Sequence, residues 1–147
     1  MSLLDELYKS VVLEHNKHPH NYGVLDPHDV ALEGVNPSCG DELTLYLRFE
    51  GDVIDAAGFT GQGCAISRAS ASLMTDALSG LDRQEARDLA ASFMSMIHGG
   101  KVESALGDLA ALQGVSRLHA RVKCATLAWV TLGEALDQAE GVTRPFR

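Results

Sequence analysis

The stretch Asn36-Pro37-Ser38-Cys39-Gly40-Asp41 constrains this chain more than any other. A thiol and a carboxylate two positions apart, with a glycine between them and a proline before, can point at one centre from a tight loop. The other two cysteines lie far along the chain, Cys64 after Thr60-Gly61-Gln62-Gly63 and Cys124 within Arg121-Val122-Lys123-Cys124-Ala125. A fold that gathers Cys39, Cys64 and Cys124 around Asp41 supplies three thiolates and a carboxylate, a donor set suited to tetrahedral zinc.

The chain has 147 residues, 46% of them hydrophobic, enough to fill one core, so residues 1–147 are expected to form a single domain. Asp5, Glu6, Lys9, Glu14 and Lys17 punctuate the N-terminal stretch and leave no apolar run of signal-peptide type. No apolar run approaches the length of a membrane span. Three cysteines cannot all pair within one chain, which argues against a secreted disulfide framework and for the reducing cytoplasm. A net charge of -8 works against nucleic-acid binding, which needs a basic surface to neutralise phosphates. Against that acidic background Arg117, His119, Arg121 and Lys123 crowd the residues before Cys124. A basic run is ordinarily a solvated helix face, but here it adjoins a candidate ligand.

The periodicities outline an α+β chain. Leu4, Leu7, Tyr8, Val11, Val12 and His15 recur at helical spacing after a capping pair Ser2/Asp5, predicting a helix from about Ser2 to Lys17 that Pro19 ends. Leu43, Leu45, Leu47 and Phe49 alternate with Thr44, Tyr46 and Arg48 as in a strand with one buried face. Glu50-Gly51-Asp52 supplies turn chemistry, Val53 to Thr60 reads as the returning strand, and Val30 to Val35 is a candidate third. Cys64 then opens a helix running toward Gly80, where backbone N–H groups and the helix dipole favour a thiolate. Asp82 with Glu85 caps a helix that Gly99-Gly100 stops, Lys101 to Gln113 looks like a shorter one interrupted by Gly114, and Val122 to about Gly141 is the last. Trp129 reads as its core anchor, and Thr143 to Arg147 as a loose tail. His15, His18, His20 and His28 crowd the first quarter; a metal role is conceivable, but without paired spacing on one face the expectation is surface or helix-end histidines.

Structural zinc sites usually draw on closely spaced cysteine pairs, and this chain has none. Its ligands come from a loop, a helix start and a late helix, and Asp41 is the least thiophilic of the set, so the centre is expected to exchange ligands. Three thiolates and a carboxylate leave it net negative even around a divalent ion. Arg121 and Lys123 could offset that excess, and one of them could stabilise a released thiolate or persulfide.

Asn36-Pro-Ser-Cys-Gly-Asp41, Gly61-Gln-Gly-Cys-Ala-Ile-Ser67 and Arg121-Val-Lys-Cys-Ala-Thr126 together resemble the three cysteine motifs of the IscU/NifU N-terminal superfamily, most closely its SufU branch. The resemblance covers nearly the whole chain. It implies an α+β fold in which a small antiparallel sheet of about three strands packs against several helices. It also implies a zinc-dependent sulfurtransferase that accepts persulfide sulfur from a SufS-type, pyridoxal-phosphate-dependent cysteine desulfurase and passes it to a downstream iron–sulfur scaffold. By the same resemblance Cys39, Asp41, Cys64 and Cys124 are the zinc ligands, Cys39 is the sulfur acceptor, and Arg121 is the family arginine beside the site. The alternative is a scaffold on which iron–sulfur clusters are assembled. Scaffold-type relatives carry a histidine before the third cysteine where this chain has Lys123, and a lysine ammonium is a poor metal ligand. The segment from Cys64 to Cys124 is also longer than in scaffold members, with Lys101 to Gln113 as the added piece. Both departures favour sulfur transfer.

Overall fold

A computed structural model of the chain describes residues 3–38 and 40–143. Three strands, β1 (Val30–Asn36), β2 (Asp41–Glu50) and β3 (Val53–Gln62), form an antiparallel meander in the order β1-β2-β3. The alternation read along β2 is realised with Leu43, Leu45 and Leu47 buried on one face, so burial of that row fixes the register. β1 closes on β2 with Asn36 opposite Asp41, leaving residues 37–40 as the connection. The candidate third strand is thus an edge of the sheet.

The helices are α1 (Leu3–Lys17), α2 (Ala65–Leu78), α3 (Arg83–Ile97) and α4 (His119–Thr143), with a 3-10 segment, Ser104–Arg117, between the last two. Asp82 caps α3 as expected, its side chain accepting from the Glu85 amide at 2.7 Å while Glu85 accepts from the Asp82 amide at 3.0 Å. The capping pair expected at Ser2 and the tail at Arg144–Arg147 lie outside the described residues.

The connection expected as a helix over Lys101–Gln113 is a 3-10 segment, and it breaks at Gly107 rather than at Gly114. Gly107 adopts φ 54°, ψ −128°, which a side chain would disfavour, and this bend lets Leu106 and Leu109 both reach the core. α4 starts at His119, before the expected Val122, because the backbone N–H of Arg121 already bonds Leu118.

α4 packs on β1, β2, α2 and α3, and α2 packs on β3, so these two helices cover the buried face of the sheet. Trp129 is the anchor expected of it: 2% exposed, stacked on Phe93 at 4.4 Å between centroids, and donating through Nε1 to Ser70 Oγ at 3.1 Å. Ser70 in turn donates to the Ala125 carbonyl at 2.6 Å, so one buried hydroxyl sets the position of α4 against α2.

Where α4 crosses β1, the Thr131 and Leu127 side chains of α4 fill the space that a side chain at Gly34 would need. A Cβ there would overlap Thr131 Oγ1 and come within 3.3 Å of Leu127 Cδ1. Gly34→Ala is therefore expected to destabilise the fold by about 1–3 kcal/mol through overpacking. An unchanged midpoint in urea denaturation would contradict that close approach.

Candidate metal centre

The centre forms where the ends of the sheet meet the starts of two helices. β2 begins at Asp41, and its register with β3, Glu42 opposite Gln62, brings the end of β3 alongside that first residue. β3 hands the chain through Gly63 to Cys64, the N-cap of α2. Cys124 lies on α4, one turn after Arg121, and the Ser70–Ala125 hydrogen bond holds the adjacent backbone against α2. One ligand atom each from Asp41, Cys64 and Cys124 falls within 4.8 Å of the other two. Cys39 lies outside the described residues, in the connection that joins Asn36 to Asp41.

The donor chemistry of the three fits a metal. Asp41 is 0% exposed, and among the described residues only its Oδ1 has a hydrogen bond, from the Cys64 amide at 2.9 Å; Oδ2 is buried with no partner among them. A buried carboxylate oxygen without a donor is costly unless something else compensates it. Beside it are Cys124, fully buried, and Cys64, part-buried, whose Sγ accepts from the Ser67 amide at 3.5 Å in the geometry of a helix cap. Two sulfurs and a carboxylate oxygen around one point form the beginning of a tetrahedral zinc set. Arg121 and Lys123, in the turn of α4 that precedes Cys124, are exposed, as are Arg117 and His119 before them in the chain.

Other residues support the site beside the ligands. A Cβ at Gly63 would sit 2.6 Å from Asp41 Oδ1 and 3.2 Å from Ser67 Oγ, so this glycine lets the carboxylate reach the Cys64 amide. Asn36 is buried, with an amide nitrogen that has no hydrogen-bond partner among the described residues. Tyr22, from the segment after α1, stacks on Phe59 and donates its hydroxyl to the Gly61 carbonyl at 2.8 Å, bracing the end of β3. Gly63 and Asn36 lie within the motifs quoted from the sequence, whereas nothing in the sequence pointed to Tyr22. Among the histidines, His18, His20 and His28 are exposed, as expected, whereas His15, in the last turn of α1 as a helix-end residue, is buried. His15 and His20 both engage α2. Burial holds the His15 imidazole below its usual range and the neighbouring His20 pushes the same way, opposed by Asp76, Asp108 and Glu14.

An α+β meander covered by helices, with cysteines and an aspartate gathered at one end of its strands, defines a class of small cysteine-centred protein. The NifU-like N-terminal domain model matches residues 7–141, and the chain belongs to that family. It is 43% identical over 140 residues to the zinc-dependent sulfurtransferase SufU of Bacillus subtilis, spanning 94% of this chain and 95% of that one. It is 42% identical over 141 residues to the iron–sulfur cluster assembly scaffold protein IscU of Streptococcus pyogenes, spanning 95% and 88%. Among solved structures, a Fervidobacterium islandicum protein proposed as an iron–sulfur cluster assembly scaffold of the SUF system superposes with a TM-score of 0.80 at 35% identity, covering 89% of this chain and 97% of that one.

Asp41→Ala removes both the orphaned oxygen and the acceptor for the Cys64 amide. In protein loaded with zinc, retention of the ion is expected to weaken by about tenfold or more in this variant, with the fold largely kept by the core. Competition against a chromogenic chelator measures this, and unchanged retention would exclude Asp41 as a ligand.

Proposed function

We propose that this chain is a zinc-dependent sulfurtransferase of the cytoplasm, acting as one SufU/IscU-like domain between a SufS-type cysteine desulfurase and a downstream iron–sulfur scaffold. The observation that carries the reading is the buried, unpartnered Asp41 Oδ2 set against the thiols of Cys64 and Cys124. In this reading Cys39, Asp41, Cys64 and Cys124 hold the ion, and Cys39 and Arg121 carry the transfer. Zinc, when bound, supplies a Lewis acid that keeps the thiols ionised and ties three parts of the fold together.

The chain's own residues do the rest. The Cys39 thiolate attacks the outer sulfur of the desulfurase persulfide; the sulfur–sulfur bond breaks, the desulfurase cysteine leaves as a thiolate, and Cys39 carries the persulfide. One sulfur moves and no external oxidant or reductant is consumed. Arg121, exposed one turn before Cys124, offers a guanidinium that steadies the anionic sulfur. Asp41 and the Ser67 amide keep Cys64 in place while this happens. No helix among the described residues is long and apolar enough to cross a membrane, and neither a membrane nor a nucleic acid has a part in this scheme.

Similarity to the Streptococcus pyogenes scaffold supports a second reading, in which the same thiols hold a transient iron–sulfur cluster. Anaerobic purification separates the two: colourless protein with one zinc supports transfer, and brown protein with inorganic sulfide supports the scaffold. Incubation with a cysteine desulfurase and cysteine, followed by mass analysis of each cysteine, tests the transfer itself. Arg121→Ala is expected to slow persulfide acceptance by about tenfold or more while leaving zinc content unchanged. Equal loss of zinc and of transfer would instead make Arg121 a structural residue.

A further inference from the structure

A second group of metal-binding side chains lies away from the cysteine centre. One ligand atom each from His15, His20 and Asp76 falls within 4.8 Å of the other two. Cys64 caps the start of α2, whereas Asp76 lies three turns farther on, about 18 Å along the helix axis. The two groups are therefore separate.

Ser72 and Asp76, one turn apart on α2, organise this second group. The His15 Nδ1 is 2.7 Å from Ser72 Oγ, and the His20 backbone N–H donates to the same oxygen at 2.7 Å. The His20 Nδ1 lies 2.5 Å from Asp76 Oδ2, and Asn21 donates to the other carboxylate oxygen at 3.0 Å. The imidazoles are 4.3 Å apart between centroids. His15 is buried, whereas the side chains of His20 and Asp76 are 47% and 44% exposed, so an ion can reach the group from solvent. Asp76 also lines a groove of about 550 Å³ shared with Glu85, Asp88 and Asp108, and the carboxylates of Asp76, Asp108 and Glu14 add negative charge that His15 feels.

We propose that His15, His20 and Asp76 form a second divalent-cation site, selective for a borderline ion such as zinc. Two imidazole nitrogens and a carboxylate oxygen suit zinc, cobalt or nickel, whereas calcium and magnesium prefer all-oxygen shells. The ion takes the place of the hydrogen bond between His20 and Asp76, and water completes its coordination. Ser72 Oγ and Asn21 are the outer partners that orient His15 and Asp76. Occupancy pins the segment after α1 to α2. The next residues of that segment pair with Phe59 through Gly23 and brace Gly61 through Tyr22, so the site fastens the strap running beside the cysteine centre.

The test uses the untagged full chain carrying one equivalent of zinc, titrated with further zinc by calorimetry while the histidine rings are followed by nitrogen-edited NMR. A second equivalent is expected to bind and to shift the His15 and His20 ring signals. His20→Ala and Asp76→Asn should each weaken it by about tenfold or more, with near-ultraviolet circular dichroism unchanged. Cys64→Ser should keep this second binding even if it loses the first, which separates the result from the fate of the sulfurtransferase reading. Absence of a second equivalent, or one that both variants retain at full affinity, overturns the proposal.

Discussion

Stripping zinc from the protein with a chelator is expected to lower its thermal midpoint by roughly 10 °C. The argument begins with where the donors sit. Asp41 opens β2, Cys64 caps α2 and Cys124 lies on α4, so an ion held by all three ties the sheet to the two helices that cover it. The unfolded chain separates these donors and binds the ion weakly, so occupancy stabilises only the folded state. With free zinc about a thousandfold above its dissociation constant the linkage is worth about 4 kcal/mol, and in a domain near 150 residues each kcal/mol moves the midpoint by about 2–4 °C. Removal also leaves Asp41 Oδ2 buried with neither ion nor donor. Differential scanning fluorimetry with and without chelator, followed by zinc repletion, measures the shift. An unchanged midpoint would reject the centre as assigned.

Cys39→Ser is expected to abolish persulfide acceptance even in preparations that keep zinc. Cys64 is committed to the start of α2, and Cys124 is fully buried on a helix held by the Ser70 hydrogen bond. Moving either toward a partner's persulfide would break helix or core packing. Cys39 instead belongs to the short connection between Asn36 and Asp41, where the flanking Pro37, Ser38 and Gly40 are all exposed. A thiol in such a connection reaches a partner with less disruption of packing than one on a helix. Serine keeps the size but lacks the sulfur nucleophile. Mass analysis after incubation with desulfurase and cysteine should find no sulfur added in the variant. Persulfide forming at the normal rate on Cys64 or Cys124 would transfer the acceptor role to that residue.

Elements governed by local rules were legible in the sequence. The alternation of Leu43, Leu45 and Leu47 gave the central strand, the Asp82/Glu85 pair gave the start of α3, and a cysteine after Gly61-Gln62-Gly63 marked the start of α2. Less local features were harder to read. Gly107 and Gly114 both look like breakers, and burial of Leu106 together with Leu109 decides that the chain turns at the first. The spacing of His15 and His20 shows no common face, because the partner that unites them, Asp76, belongs to another helix.

The sequence by itself determined the donor types, their order along the chain and the kinds of element that carry them, since these follow from side-chain chemistry and from periods of two and 3.6 residues. Tertiary structure alone decided that Cys124 meets Asp41 and Cys64. That meeting depends on α4 crossing β1 at Gly34, on Ser70 locking α4 to α2, and on Gly63 leaving room for the Asp41 carboxylate. It is a consequence of close packing between residues distant in sequence, which no local spacing encodes.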